Sequence, residues 1–232
     1  MSGLASRRAA EAFIISGRIT VNGVKVTDLA VRVDPVRDRI CFDGQCLRPA
    51  GKKVYIMLNK PKGVVTTLDD ERGRKTVISL LNISERVFPV GRLDRNSEGL
   101  LLLTNDGDLA YVLMHPRHKV AKTYRVRLDR EFAPEDFTRL TGGIELDDGP
   151  TQPCSAGFYS EEARDRVQIR LREGRRHQIR RMFKALGYDV LALRRIQYGP
   201  MSLKGLARGQ YRHLTSSEIK QLMAIFSRAR KI

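Results

Sequence analysis

The chain has 232 residues, room for one large domain or for a small domain ahead of a larger one, and either arrangement can bury a core. Lysines and arginines outnumber aspartates and glutamates by 43 to 26, a formal charge of +17, which points to a polyanionic partner with nucleic acid as the first candidate. No apolar run of signal-peptide kind opens the chain and no segment approaches the roughly 20 apolar residues of a membrane span, so a cytosolic protein is predicted. The excess charge is uneven. Residues 170–232 hold sixteen lysines and arginines against Glu173, Asp189 and Glu218, a net +13, so the anion is expected mainly along the last quarter of the chain. Cys41, Cys46 and Cys154 form an odd set without CxxC spacing, and no histidine pairs with them in ligand-like fashion; they read as buried or idle thiols rather than a zinc site.

Ser6 is a suitable N-cap, and Ala9, Ala10, Phe13 and Ile14 recur at helical spacing until Gly17, which predicts a short helix. Ile19-Thr20-Val21, Asn22-Gly23 and Val24-Lys25-Val26 form a tight-hairpin signal. Short strands are expected near 31–33 and 39–42, and Arg48-Pro49-Ala50-Gly51-Lys52 reads as a linker. The domains are therefore placed at 1–48, a linker at 49–53, and 54–232.

Beyond the linker, the apolar strand 54–58 runs into Asn59-Lys60-Pro61-Lys62-Gly63, read as a turn that displays two lysines. Strands are predicted at 64–66, 87–90, 100–103, 123–128 and 167–171, and helices at 109–114, 134–140, 176–186 and 217–226. This order fits an α+β class, a mixed sheet with helices interspersed, better than a regular strand–helix alternation.

Three stretches can carry chemistry. In Gly91-Arg92-Leu93-Asp94-Arg95-Asn96-Ser97-Glu98-Gly99, an aspartate ahead of a strand is ordinarily a turn residue. Arg92 and Arg95 are able to hold its carboxylate ionised, Gly91 and Gly99 permit close approach to the backbone, and the leucine run at 100–103 predicts a strand buried on both faces. Two neighbouring guanidiniums disfavour a metal, which leaves nucleophile, general base or ion-pair partner. In the segment 173–186, Ile179, Met182, Phe183 and Leu186 share one helical face. Arg175, Arg176, His177 and Gln178 occupy the expected opening turn, where a phosphate can bind, with Arg181 on the basic face. In Lys122-Thr123-Tyr124-Arg125-Val126-Arg127-Leu128, strand alternation turns Tyr124 inward with Val126 and Leu128.

Taken together and in order, these segments resemble the RsuA-type ribosomal RNA pseudouridine synthases. Gly91-Arg92-Leu93-Asp94 through Gly107 resembles the family signature, and Lys60-Pro61-Lys62-Gly63 its first motif. Lys122-Thr123-Tyr124 resembles its second, and 174–182 with Leu193-Arg194-Arg195 its third. The start of the chain, with Arg7, Arg8, Arg18 and Lys25, is similar to an S-four-type RNA-binding domain, expected to be incomplete because the family's domain opens on an earlier amphipathic helix.

The resemblance implies a pseudouridine synthase fold, with a mostly antiparallel central sheet, flanking helices and a small α/β domain ahead of it. It further implies isomerisation of uridine to pseudouridine in ribosomal RNA, without cofactor or metal. Asp94 would be the essential carboxylate, Arg180 its ion-pair partner, Tyr124 the ring stacked on the target base, and Leu193 and Arg92 parts of the substrate pocket. RNA contacts are expected from Arg7, Arg8, Arg18, Lys25, Lys60, Lys62, Arg175, Arg176, His177, Gln178, Arg181 and Arg194. Folded ribosomal RNA is the expected partner of a monomer. The alternative is a non-catalytic ribosomal RNA-binding or assembly protein, which needs none of Asp94, Tyr124 and Arg180.

Overall fold

A computed structural model describes residues 4–47, 51–160 and 162–229. The chain forms two compact units, Met1–Lys53 and Val54–Ile232. Residues 48–50 of the expected linker lie outside the described residues.

The first unit opens on α1 (Arg7–Ile15), capped by the Ser6 hydroxyl accepting from the Ala9 N–H. Four antiparallel strands follow: β1 (Ile19–Val21), β2 (Val24–Val26), β3 (Ile40–Phe42) and β4 (Gln45–Cys46), in the spatial order β2-β1-β3-β4. Asn22 and Gly23 both take positive φ at the hairpin turn, as the dipeptide predicts. The strand expected at 31–33 does not form. Asp28, Asp34 and Asp38 accept from the backbone N–H groups of Ala30, Val36 and Asp34, and these local bonds replace a ladder. Cys41 and Cys46, read as idle thiols, lie opposite one another in the β3–β4 ladder and are bridged.

The second unit is built on one nine-stranded sheet. Its path runs β13 (Tyr211–His213), β5 (Tyr55–Lys60), β7 (Glu98–Thr104), β11 (Val190–Tyr198), β8 (Lys122–Leu128), β10 (Arg166–Leu171) and β9 (Ser155–Phe158). The short strands β6 (Phe88–Val90) and β12 (Met201–Ser202) pair with β7 and β11. Every pairing is antiparallel except β7 with β11, which join in parallel through Arg194–Glu98 and Arg195–Gly99. The helices are α2 (Gly107–Met114), α3 (Asp136–Gly142), α4 (Gln178–Ala185) and α5 (Ser216–Ala229), so the α+β expectation holds.

Every residue of β7 is buried, as the leucine run requires. Leu100 and Leu102 pack with α2 and α5 residues such as Leu109 and Leu222, while Leu101 and Leu103 pack on the other face with Val77 and Val87. A third cluster joins Val126, Leu128 and Ile169 to Ile179, Met182 and Phe183, the predicted face of α4. The glycine at 99 is needed because a β-carbon there would lie 2.1 Å from the Arg195 carbonyl oxygen. What approaches this glycine is therefore the neighbouring strand.

Two further expectations change. The strand at 64–66 shrinks to a single bridge between Val65 and Thr76. The helix expected from 176 begins at Gln178, with His177 in the left-handed region at φ 51°, so Arg175 and Arg176 precede it.

Candidate active site

The loop from Gly91 to Ser97 leads into β7 and is held at several points. Thr66 donates its hydroxyl to the Leu93 carbonyl at 2.7 Å and accepts from the Leu93 N–H at 3.3 Å, while Gly63 donates its N–H to the Arg95 carbonyl at 2.9 Å. Lys60 completes the anchorage. Antiparallel pairing of β5 with β7 runs to Lys60–Gly99, so this lysine belongs to the sheet and is fully buried. Its ammonium donates to the carbonyls of Pro61 (3.1 Å), Asp94 (3.1 Å), Arg95 (3.4 Å) and Ser97 (2.8 Å). Burial is the main cause that pushes its pKa down to about 8, opposed by Asp94 and Glu98. Lys60 is thus not displayed for RNA; it fastens the loop that carries Asp94.

That loop borders a cavity of about 1010 Å³, whose wall includes Asp94, Arg92, Tyr124, His177, Leu193 and Arg195. The Asp94 side chain is 41 % exposed, with one carboxylate oxygen 3.4 Å from Nε2 of His177. The expected cationic partners lie elsewhere. Arg180 donates to the Val190 carbonyl at 2.7 Å, tying α4 to β11, and Arg95 donates to the Gly63 carbonyl at 3.3 Å. Arg92 is exposed at the cavity edge. Beginning α4 after His177 is what turns this imidazole toward Asp94.

Tyr124 packs against two of the core clusters and stands opposite Arg195 in the β8–β11 ladder. Leu193, 6 % exposed, contributes the apolar wall. Lys122 and Arg195, motif residues to which the sequence assigns no role, line the same cavity. Strand period carries the signal: Lys122 shares a face with Tyr124, and Arg195 shares one with Leu193. Burial, then the charge of Arg195, pushes Lys122 down to about 8.

Several expected RNA contacts are engaged within the protein. Arg175 donates to the carbonyls of Asp148, Gly149 and Pro150, and Arg181 forms two bonds with the Asp148 carboxylate, at 2.8 and 3.0 Å. Gln178 is 4 % exposed; it donates to Glu173 and accepts from the Arg175 N–H. Arg194 is half-buried, its Nε enclosed without a partner, and Lys62 is exposed within 3.8 Å of Glu98. In the first unit Arg18 is paired with Asp43 and lies over the rings of Phe13 and Phe42, whereas Arg7, Arg8 and Lys25 are exposed. Of the basic run before α4, Arg176 and His177 remain exposed.

Residues 54–185 match the family described as RNA pseudouridylate synthase, and residues 1–40 match the S4 domain. A Bacillus subtilis protein named ribosomal large subunit pseudouridine synthase B is 41 % identical over 97 % of this chain and 93 % of its own. An Aquifex aeolicus protein named as an uncharacterized RNA pseudouridine synthase is 43 % identical over 95 % of this chain and 90 % of its own. A crystal structure of a pseudouridylate synthase superposes with a TM-score of 0.71 at 32 % identity, covering 95 % of each chain. The chain belongs to the RNA pseudouridylate synthase family, with an S4 domain ahead of the synthase fold.

Proposed function

We propose that this protein converts a uridine of ribosomal RNA to pseudouridine, with Asp94 as the essential carboxylate. The observation that carries the reading is the placement of Asp94, on a loop anchored by a buried ammonium, in the wall of a cavity shared with Tyr124 and Leu193. A uridine stacked in an RNA helix cannot reach that carboxylate, so the nucleotide is extruded at a cost of a few kcal/mol for unstacking. Tyr124 offers a ring to stack on the extruded base, and Leu193 an apolar wall beneath it.

Asp94 then attacks the sugar or the base, chemistry that suits a carboxylate held close to an electron-poor carbon once the base has displaced water. His177 holds Asp94 before RNA arrives, and Arg180 positions α4 from its bond to Val190. Phosphate contacts from Lys62, Arg176 and the basic last quarter of the chain offset the distortion of the RNA, and Arg7, Arg8 and Lys25 add contacts from the first unit. The protein acts as a cytoplasmic monomer, without a cofactor.

Replacement Asp94→Asn abolishes release of tritium from carbon-5-labelled uridine in ribosomal RNA while RNA affinity stays within a few-fold of wild type. Retained turnover in that variant would refute the assignment.

A further inference from the structure

The cavity wall carries two cations, Arg195 and Lys122, that form no ion pair with any carboxylate of the described residues. Lys122 and Tyr124 on β8, and Leu193 and Arg195 on β11, are alternate residues of two paired strands, and all four line the cavity. Arg195 is 2 % exposed. Its Nε donates to the Leu100 carbonyl at 2.7 Å, while Nη2 is buried with no acceptor. Its guanidinium carbon lies 5.1 Å from the ring centre of Tyr198 and 6.0 Å from that of Tyr124. The Lys122 ammonium donates to the Val120 carbonyl at 3.2 Å and sits 5.3 Å from the centre of the Tyr198 ring. The nearby acids have other contacts: Asp94 with His177, Glu98 with Lys62 and Arg208, Asp70 with Arg74 and Glu173 with Arg175.

Enclosing a guanidinium without an acid and leaving one of its donors unmet both work against stability. Such an arrangement is expected where a site requires uncompensated positive charge. An electron-rich oxygen of a ligand in the cavity would lie in the field of this charge. Tyr124 and Leu193 beside these cations favour a flat base over a phosphate.

We propose that Arg195, supported by Lys122, stabilises the negative charge that the uracil ring acquires during isomerisation. This rests on the reading of the cavity as a uridine site. When Asp94 bonds to C1′ and the C1′–N1 bond breaks, the electron pair of that bond stays with the base and spreads over N1, O2 and O4. The pair is returned as C5 bonds to C1′ and the Asp94 carboxylate leaves that carbon; the C5 proton then passes to water and N1 takes one up. If Asp94 instead adds first to C6 of the base, the C5–C6 π pair moves through C4 onto O4, and Asp94 leaves C6 when the C5 proton is lost. Either route places charge on the exocyclic oxygens, where a fixed cation in a dry wall stabilises the transition state more than the ground state.

The test varies the base's own ability to carry that charge. Transcripts of both ribosomal RNAs are made with uridine or with 5-fluorouridine, whose fluorine stabilises the base anion without help from the protein. Single-turnover loss of each nucleoside is read by nuclease digestion and mass spectrometry. Arg195→Met slows the uridine reaction about 100-fold or more, in the range found on removing one preorganised donor. It slows the 5-fluorouridine reaction about tenfold or less, and RNA affinity stays within about threefold.

Arg195→Lys, which keeps the charge, and Lys122→Met, which removes the second cation, show the same selectivity for uridine with smaller losses. They serve as the readout if Arg195→Met does not fold. Equal losses on both bases, or a loss of affinity that matches the loss of rate, overturns the inference while the cavity remains a uridine site. A wild-type protein that converts neither base overturns the reading of the cavity and the inference with it.

Discussion

Replacing Lys60 by methionine removes an ammonium and leaves a side chain of similar length in the same slot. Three of its bonds are 3.1 Å or shorter, to Pro61, Asp94 and Ser97. At about 2 kcal/mol for a hydrogen bond from a charged donor, they contribute roughly 6 kcal/mol. Against this stands the cost of keeping a proton on a buried amine. The depression from 10.5 to about 8 corresponds to roughly 3 kcal/mol at neutral pH. The difference, about 3 kcal/mol, is the expected destabilisation of Lys60→Met, and it lowers the Tm by about 6–12 °C for a unit of this size.

Linkage gives the second readout. A lysine whose folded pKa lies below its unfolded value releases its proton first in the folded state, so stability rises with pH between about 8 and 10.5. Lys122, also held at about 8, makes the same contribution in both proteins. The deficit of Lys60→Met relative to wild type therefore widens from pH 7 to pH 10, which urea unfolding at a series of pH values measures. Turnover falls as well, because the loop bearing Asp94 loses its anchor. A variant as stable as wild type, or a deficit independent of pH, would refute this account of Lys60.

Gly99→Ala brings a β-carbon to 2.1 Å from the Arg195 carbonyl at a backbone φ of +108°, so it opens the parallel β7–β11 pairing and yields little soluble protein; normal expression and melting would contradict the close approach. Arg176→Ala weakens RNA binding and lowers the slope of log affinity against log salt by about one. Arg181→Ala leaves that slope unchanged and instead lowers the melting temperature, since its guanidinium is held by Asp148. Glu218 is held at about 2, chiefly by its bonds with Arg212. A depressed carboxylate stabilises the fold above its unfolded pKa and loses that contribution as pH falls from about 4.5 toward 2. Glu218→Gln accordingly flattens acid unfolding over this interval, as followed by circular dichroism.

The features read correctly from sequence depend on local pattern. The leucine run of β7, the Asn-Gly hairpin and the apolar face of α4 each follow from residue spacing. Features set by distant contacts were not visible. The acid at Asp148 that occupies Arg175 and Arg181 lies 27 and 33 residues from them, so two arginines of an apparently free basic run turn out to be structural. β11 was overlooked because Arg194 and Arg195 interrupt its apolar pattern, yet Arg195 is among the most buried charged residues of the unit. Lys60 looked like part of an exposed turn because nothing local shows that β5 extends far enough to bury it. At the site, the motifs marked Asp94, Tyr124 and Leu193 as residues of one cavity, but the contact between Asp94 and His177 depends on a left-handed residue that no spacing rule predicts.

The pairing of β7 with β11 also bears on synthesis. A strand made before residue 105 has its central partner only once residues 190–198 exist, and β5 has its outer neighbour only once residues 211–213 exist. A chain emerging in order from its N-terminus therefore has β5 and β6 ready to pair with the four-leucine strand, but the start of that strand, at Glu98 and Gly99, waits for β11 through most of its synthesis. Such long-range closure makes folding slow and leaves apolar surface uncovered in the meantime. The cavity, whose walls come from both halves of this unit, cannot form on the growing chain before residues 171–198 have been made.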